Sequence, residues 1–233
     1  MKKTIITALL LAFGIISFAQ TKQIKFGVKA GVTLPTMSST SEAQAYDGPS
    51  DYDFKTNTSF YVGGIIDIPV SRTFSIQPGI TLLGKGGKAQ VYFSNFEPGP
   101  GLYIYEGSYK LSTMYLEVPV NAVFNFNVGR GNVFFGGGPS YGFAISGKIN
   151  TDGTVTNGSG KSNQSIERDA EFGTNKDFKR GDFGVGFLAG YQLNSGLNLH
   201  AGYSLGLSNI DSDAFQDTKL TNRVLSLGIG FSF

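Results

Sequence analysis

Hydrophobic and polar residues alternate one by one along most of this chain. At its C-terminus Leu225, Leu227, Ile229, Phe231 and Phe233 are separated by Ser226, Gly228, Gly230 and Ser232, so an extended strand here carries one wholly apolar face and one small, polar face. The same period runs through Leu197, Leu199, Ala201, Tyr203, Leu205 and Leu207, and through Phe183, Val185, Phe187, Ala189, Tyr191 and Leu193. Upstream it recurs in Val133, Phe135, Tyr141, Phe143 and Ile145, in every second residue from Met114 to Phe126, and in Phe74, Ile76, Ile80 and Leu82. Phe60, Val62, Ile66, Ile68 and Val70, then Ile24, Phe26, Val28, Ala30, Val32 and Leu34, complete a set of about eight strands, the number that closes a small barrel.

The direction of the apolar faces follows from what lies opposite them. A soluble sandwich or lipocalin-like barrel buries its large residues, whereas an outer-membrane barrel turns them toward lipid. Here the opposite faces are Gly, Ser, Asn and Thr with scattered charges, Lys25, Lys29, Asp67 and Glu117. They are too small for a soluble protein's solvent face and suit a narrow, wet lumen. The 33 glycines have the same cause, since an eight-stranded barrel leaves little interior volume for side chains. The expected fold is therefore all-β: an eight-stranded antiparallel up-and-down transmembrane β-barrel over residues 20–233. Pro69, Pro78, Pro119 and Pro139 fall inside strands and each removes a ladder donor, so bulges are expected there. Short connections at 70–73, 127–131 and 194–196 alternate with long ones at 35–57, 84–110, 149–181 and 210–220. Short turns of such barrels face the periplasm and long loops face outside, which places both termini in the periplasm.

Lys2 and Lys3 precede an apolar run, Ile5 to Phe18, that ends in Ser17-Phe18-Ala19. This resembles a secretory signal peptide, residues 1–19, and the run falls short of the roughly 20 residues of a spanning helix. The whole chain carries 19 Lys and Arg against 17 Asp and Glu, so loss of Lys2 and Lys3 leaves it formally neutral. Neutrality gives no electrostatic basis for a nucleic-acid partner. With no cysteine, thiolate-bound metal, a thiol nucleophile, a disulfide framework and a lipid-modified N-terminal Cys are all excluded.

Candidate chemistry is thin. Gly79-Ile-Thr-Leu-Leu-Gly84-Lys85-Gly86 approaches a phosphate-binding loop, but Gly86 stands where Ser or Thr must hold magnesium, and Gly79 to Leu83 reads as strand. Gly184-Val-Gly186-Phe-Leu-Ala-Gly190 misses the dinucleotide fingerprint by one residue and has no helix after it. His200, the single histidine, falls just above the Asn194-Ser195-Gly196 turn and points inward, which makes it a hydrogen-bonded lumen residue rather than a base near surface substrates. Asp211, Asp213 and Asp217 lack the turn Gly and terminal Glu of a calcium loop. No cofactor, metal or catalytic residue is expected. In the lumen, Lys29 and Asp67 are expected to form an ion pair, extended by Lys25, because an unpaired charge there is costly. The Gly-, Ser-, Asn- and Thr-rich stretch 149–181 reads as a mobile exposed loop.

The most informative connection is the one containing residues 86–110. Gln90 to Phe96 and Leu102 to Lys110 are β-prone and aromatic, through Tyr92, Phe93, Phe96, Tyr103, Tyr105 and Tyr109, and they flank Glu97-Pro-Gly-Pro-Gly101. The midpoint between Thr73 and Phe126 falls at the Gly99-Pro100 junction, so both strands pair to the tip without a large offset. A membrane strand needs only ~9–11 residues, and the surplus projects roughly 40 Å beyond the bilayer. Such a hairpin offers its aromatic residues to a protein or glycan partner.

A signal peptide ending Phe-Ala-Gln, "KFGVKAGVTL", "YLEVPVNAVFNF", "GDFGVGFLAGYQL" and the final "LSLGIGFSF" together resemble the PorT-like outer-membrane β-barrel family of Bacteroidetes, over nearly the whole mature chain. The resemblance implies the outer membrane of a Gram-negative bacterium as location and its lipid as surroundings. It also implies recognition by the barrel-assembly machinery through a terminal signal that Phe231 and Phe233 match. Members of that family include a secretion-system component. The expected function is a non-enzymatic structural or surface-interaction role, with a small pore or a secretion-apparatus subunit as the alternative.

Overall fold

A computed structural model of the chain describes residues 23–41, 54–97, 101–157, 160–212 and 218–233; the expected signal peptide, the hairpin tip at 98–100, Asp213 and Asp217 lie outside them. The described residues form ten strands: β1 (Lys25–Ser41), β2 (Phe54–Lys55), β3 (Ser59–Pro69), β4 (Phe74–Glu97), β5 (Gly101–Val128), β6 (Gly131–Asn157), β7 (Gly160–Asp169), β8 (Gly181–Leu193), β9 (Leu197–Gly206) and β10 (Thr218–Ser232). Eight of them close a ring in the order β4-β3-β1-β10-β9-β8-β6-β5, with β5 returning to β4; β2 attaches to β4 and β7 to β6 outside the ring. All ladders are antiparallel, as up-and-down topology requires. The expected fold class is the observed one.

The apolar faces point out. Leu199, Phe26 and Ile229 are 66%, 60% and 59% exposed, and they belong to a continuous outer wall that no soluble monomer presents to water. Near the periplasmic turns the rings of Phe74, Phe124, Phe126 and Phe135 pack across strands in three contacting pairs, with centroids 5.1–5.9 Å apart, as an aromatic girdle at one membrane interface. Inside, small residues make room for large ones. Gly31 and Gly228 face each other across the β1–β10 seam, and the Tyr61 ring occupies the space their side chains would take.

The prolines behave differently from expectation. Pairing of β3 with β4 skips from Ile65↔Gly79 to Ile68↔Ile76, and pairing of β4 with β5 skips from Pro78↔Val120 to Thr81↔Glu117, in each case without a change of register. Proline here removes rungs of the ladder and leaves the strands in step. The bulge in the β5–β6 ladder lies elsewhere, between Met114 and Tyr115, where Ile145 is left unpaired. One extra residue reverses the facing of everything beyond it. Below the bulge Ser140, Gly142 and Ala144 face in; above it Ile149 and Val155 do.

That reversal builds a second storey. Beyond the membrane β4, β5 and β6 continue as paired strands, and the interior changes from polar to apolar: Met37, Leu111, Ile149, Ala170, Phe178 and Ile210 form a buried cluster with Phe54, Tyr109, Phe172 and Leu220 packed against it. The stretch 149–181, read from sequence as a mobile loop, is largely the β6–β7 hairpin followed by a segment whose Ala170 and Phe178 enter this core.

Candidate functional site

The lower lumen is a cavity of about 200 Å³ whose lining includes many Asn, Gln and Ser side chains together with Lys25, Lys29, Asp67, Arg72, Glu117 and His200. Alternation carries these side chains inward, and the small residues between them leave space. The expected Lys29–Asp67 ion pair does not form. Asp67 stands opposite Lys25 in the β1–β3 register and accepts a hydrogen bond from Gln77 Nε2 at 3.0 Å, while Lys29 stands opposite Gly63. The β1–β3 register sets Lys29 four residues beyond the rung of Asp67, and Gln77, which the unshifted β3–β4 register puts directly opposite Asp67, reaches the carboxylate instead. His200 is a hydrogen-bonded lumen residue, with Nε2 2.6 Å from Tyr61 Oη and Nδ1 2.8 Å from Asn198 Oδ1. Assigned so, Asn198 Oδ1 can only accept, which makes Nδ1 the donor and leaves Nε2 to accept from the Tyr61 hydroxyl. Both ring nitrogens are engaged.

Above the cavity the lumen is closed by ions. Glu117, grouped from sequence with Lys25, Lys29 and Asp67, takes Lys85 as its partner: Nζ lies 2.7 Å from Glu117 Oε2 and 3.0 Å from Asp182 Oδ2. Asn222 Nδ2 donates to Asp182 Oδ2 at 3.0 Å, Ser208 Oγ donates to Oδ1 at 3.2 Å, and the ammonium stands 4.9 Å from the Tyr115 ring centroid. The alternation alone does not reveal Lys85, Asp182 and Asn222, because Lys85 falls in a stretch that reads as loop and Asp182 sits one residue ahead of the apolar alternation. A usable signal existed: Lys85, Glu117 and Asp182 each stand eleven residues from the periplasmic end of their strand, counted from Phe74, Val128 and Leu193.

From Phe74↔Phe124 to Glu97↔Gly101 the β4–β5 ladder keeps one register, interrupted only at 79–80 and 118–119, and that register is centred on position 99, half a residue from the expected junction. Tyr92 is 60% exposed. Tyr105 is half-buried and its ring covers Gly153 of β6, and Tyr109 packs on the apolar core, so these two brace the hairpin instead of presenting a contact surface. Phe93, Phe96 and Tyr103 are placed by backbone register alone, opposite Tyr105, Leu102 and Asn95; their side chains lie outside the described residues.

A family model described as the outer membrane protein beta-barrel domain matches residues 18–212. The chain belongs to that family. Its location is accordingly the outer membrane. Among curated proteins none matches the chain. Among solved structures it is similar to Ail, the attachment invasion locus protein of Yersinia pestis, at 14% identity over 91% of this chain and 100% of that one, TM-score 0.36. It is similar to Neisserial surface protein A at 12% identity over 91% and 100%, TM-score 0.38, and to the outer membrane protease OmpT from Escherichia coli at 13% identity over 92% and 100%, TM-score 0.34.

In this outer-membrane barrel domain the outer mouth is capped by the segment between β7 and β8. Phe178 enters the core, and backbone bonds from Phe178 N to Glu171 O and from Lys179 N to Ile210 O tie the segment to itself and to the β9–β10 connection. Arg168 grips Asp177 with two bonds of 2.7 and 2.8 Å, and Glu171 N donates to the same carboxylate. The Arg168 hydrogen bonds, aided by the Glu171 amide, hold the Asp177 carboxyl below the ordinary aspartate range. A depressed carboxyl pKa contributes stability that is complete above the unfolded value and is lost as pH falls through the folded one. Hydrogen-exchange mass spectrometry is therefore expected to show residues 168–180 protected at pH 7 and loosening only below the usual aspartate range, near pH 4 and under. Asp177→Asn should be loose at both pH values; equal acid loosening in wild type and variant would remove Asp177 from this role. At the periplasmic end Phe231 and Phe233 face outward, 39% and 72% exposed, with ring centroids 5.2 Å apart.

Proposed function

We propose that this protein is a non-catalytic surface-interaction barrel of the PorT-like branch, with the β4–β5 hairpin as its reaching element. The observation that carries the reading is the single register kept by the paired 24- and 28-residue strands β4 and β5, far longer than a bilayer requires, above a lumen closed by buried ions and an apolar core. A closed lumen favours contact over conduction, and a histidine with both nitrogens occupied favours contact over catalysis. Phe231 and Phe233, outward at the last strand, are the proposed signal to the barrel-assembly machinery, and a protein or glycan is the proposed partner at the outer end.

The test is a truncation matched to the register. Removing Gln90 to Ser108 and joining Ala89 to Tyr109, which are cross-strand partners, through an Asn-Gly turn keeps the apolar core and removes the projection. The shortened protein is expected to keep its faster migration on unboiled gels. A photo-crosslinker at Tyr92 in intact cells should give a discrete adduct, and one at lipid-facing Leu199 none. Stepwise conductance of the intact protein in a planar bilayer, or no adduct at Tyr92, would overturn the reading.

A further inference from the structure

Three lysines stand in one row across three adjacent strands. Lys55 of β2 is directly opposite Lys88 of β4, and Lys88 is directly opposite Lys110 of β5. Directly opposed residues share a face of the sheet. The neighbouring row, Phe54, Ala89 and Tyr109, turns inward to the apolar core, so the lysines are on the outer wall, and all three are exposed. Like charges directly opposite one another repel and destabilise a ladder. Among the described residues no carboxylate lies within ion-pair distance of any of them, whereas Lys148, on the next strand, is paired with Glu167. A row of unneutralised lysines at cross-strand spacing has the charge and geometry to suit a multiply charged anion.

Height above the membrane selects the anion. Lys88 and Lys110 each stand six residues beyond the cross-strand pair Leu82–Leu116, near the top of the lipid-facing band. At ~3.3 Å per residue and a strand tilt of ~35–45° that is about 15 Å along the membrane normal. Phospholipid head groups occupy only roughly 5–8 Å beyond the hydrocarbon, so the row lies level with a sugar layer above it. Two further cations mark the lower boundary of this layer: Arg223 is exposed on β10 directly above lipid-facing Leu225, and the Arg180 guanidinium lies 5.4 Å from the ring centroid of outward-facing Phe143.

We infer that Lys55, Lys88 and Lys110 bind the phosphorylated core sugars of the outer-leaflet glycolipid, anchoring the base of the projecting strands in the cell's own surface layer. The row lies on the wall below the hairpin tip and does not depend on what the tip contacts.

The test uses the full chain in phosphatidylcholine nanodiscs, with deacylated lipopolysaccharide as soluble probe and its dephosphorylated form as control. Wild type and the tip truncation are expected to bind the phosphorylated probe alike, with affinity falling steeply as salt is raised. Lys55→Gln/Lys88→Gln/Lys110→Gln should bind at least tenfold more weakly with a flatter salt dependence, while keeping its gel-mobility shift, and Lys148→Gln should bind as wild type. Undiminished binding by the triple variant, equal binding of the dephosphorylated probe, or tighter binding of heparin than of the phosphorylated probe would each overturn the assignment.

Discussion

Lys85→Met is expected to destabilise the barrel by about 3–5 kcal/mol, the cost of leaving buried charge without its counter-ion. Lys85, Glu117 and Asp182 have side chains only 5%, 7% and 1% exposed, so water does not compensate for a missing partner. The two carboxylates differ in what remains. Asp182 keeps Asn222 and Ser208, whereas among the described residues Glu117 has no cation within ion-pair distance besides Lys85. Guanidinium unfolding followed by the boiled-versus-unboiled gel shift should place the variant's midpoint well below wild type. The neutralised triple variant Lys85→Met/Glu117→Gln/Asp182→Asn should recover most of that loss, since removing a buried ion cluster whole is often close to neutral. An unchanged midpoint for the single variant, or a triple variant no better than the single, would show that the cluster does not hold the lumen closed.

The membrane half of this architecture was legible because lipid imposes one rule on every strand. Leu225 to Phe233, Leu197 to Leu207 and Phe183 to Leu193 obey strict alternation, and their facing follows directly. Above the membrane the rule lapses. Residues 149–157 and 160–169 read as loop because they are not apolar; they are strand because β6 pairs with β5 on one side and β7 on the other, and because polar side chains bond across the pair, Thr154 to Asn163 at 3.0 Å and Ser165 to Asp152 at 2.6 Å. The bulge at Ile145 hid the second core. The apolar parity continues unbroken from Phe143 through Ile145 to Ile149, yet its meaning changes from lipid-facing to buried within those six residues. At the lumen, the set of inward charges was legible and their pairing was not. Pairing depends on side-chain reach across the barrel, and Lys85 meets Asp182 over a sequence separation of 97.

A second large effect is expected from Leu111→Ala, and its spatial extent distinguishes two storeys from one. Leu111 is 1% exposed at the centre of the outer core, between Met37, Ile149 and Phe178, and truncating a buried leucine to alanine costs about 2–5 kcal/mol. The outer storey has no lipid around it and rests on this cluster and the ladders that enclose it, so the loss should appear as local opening. Proteoliposomes carrying the variant should be cleaved by added protease in the segment between β7 and β8 under conditions where wild type resists, while the protease-protected membrane fragment keeps its gel-mobility shift. Val123→Ala provides the contrast, since Val123 is fully buried in the lower, membrane-embedded half and should lower the gel-shift midpoint without exposing the outer segment. If Leu111→Ala depresses that midpoint as much as Val123→Ala and cleavage spreads into the barrel strands, the two halves unfold as a single unit. The outer core would then stabilise the membrane barrel directly.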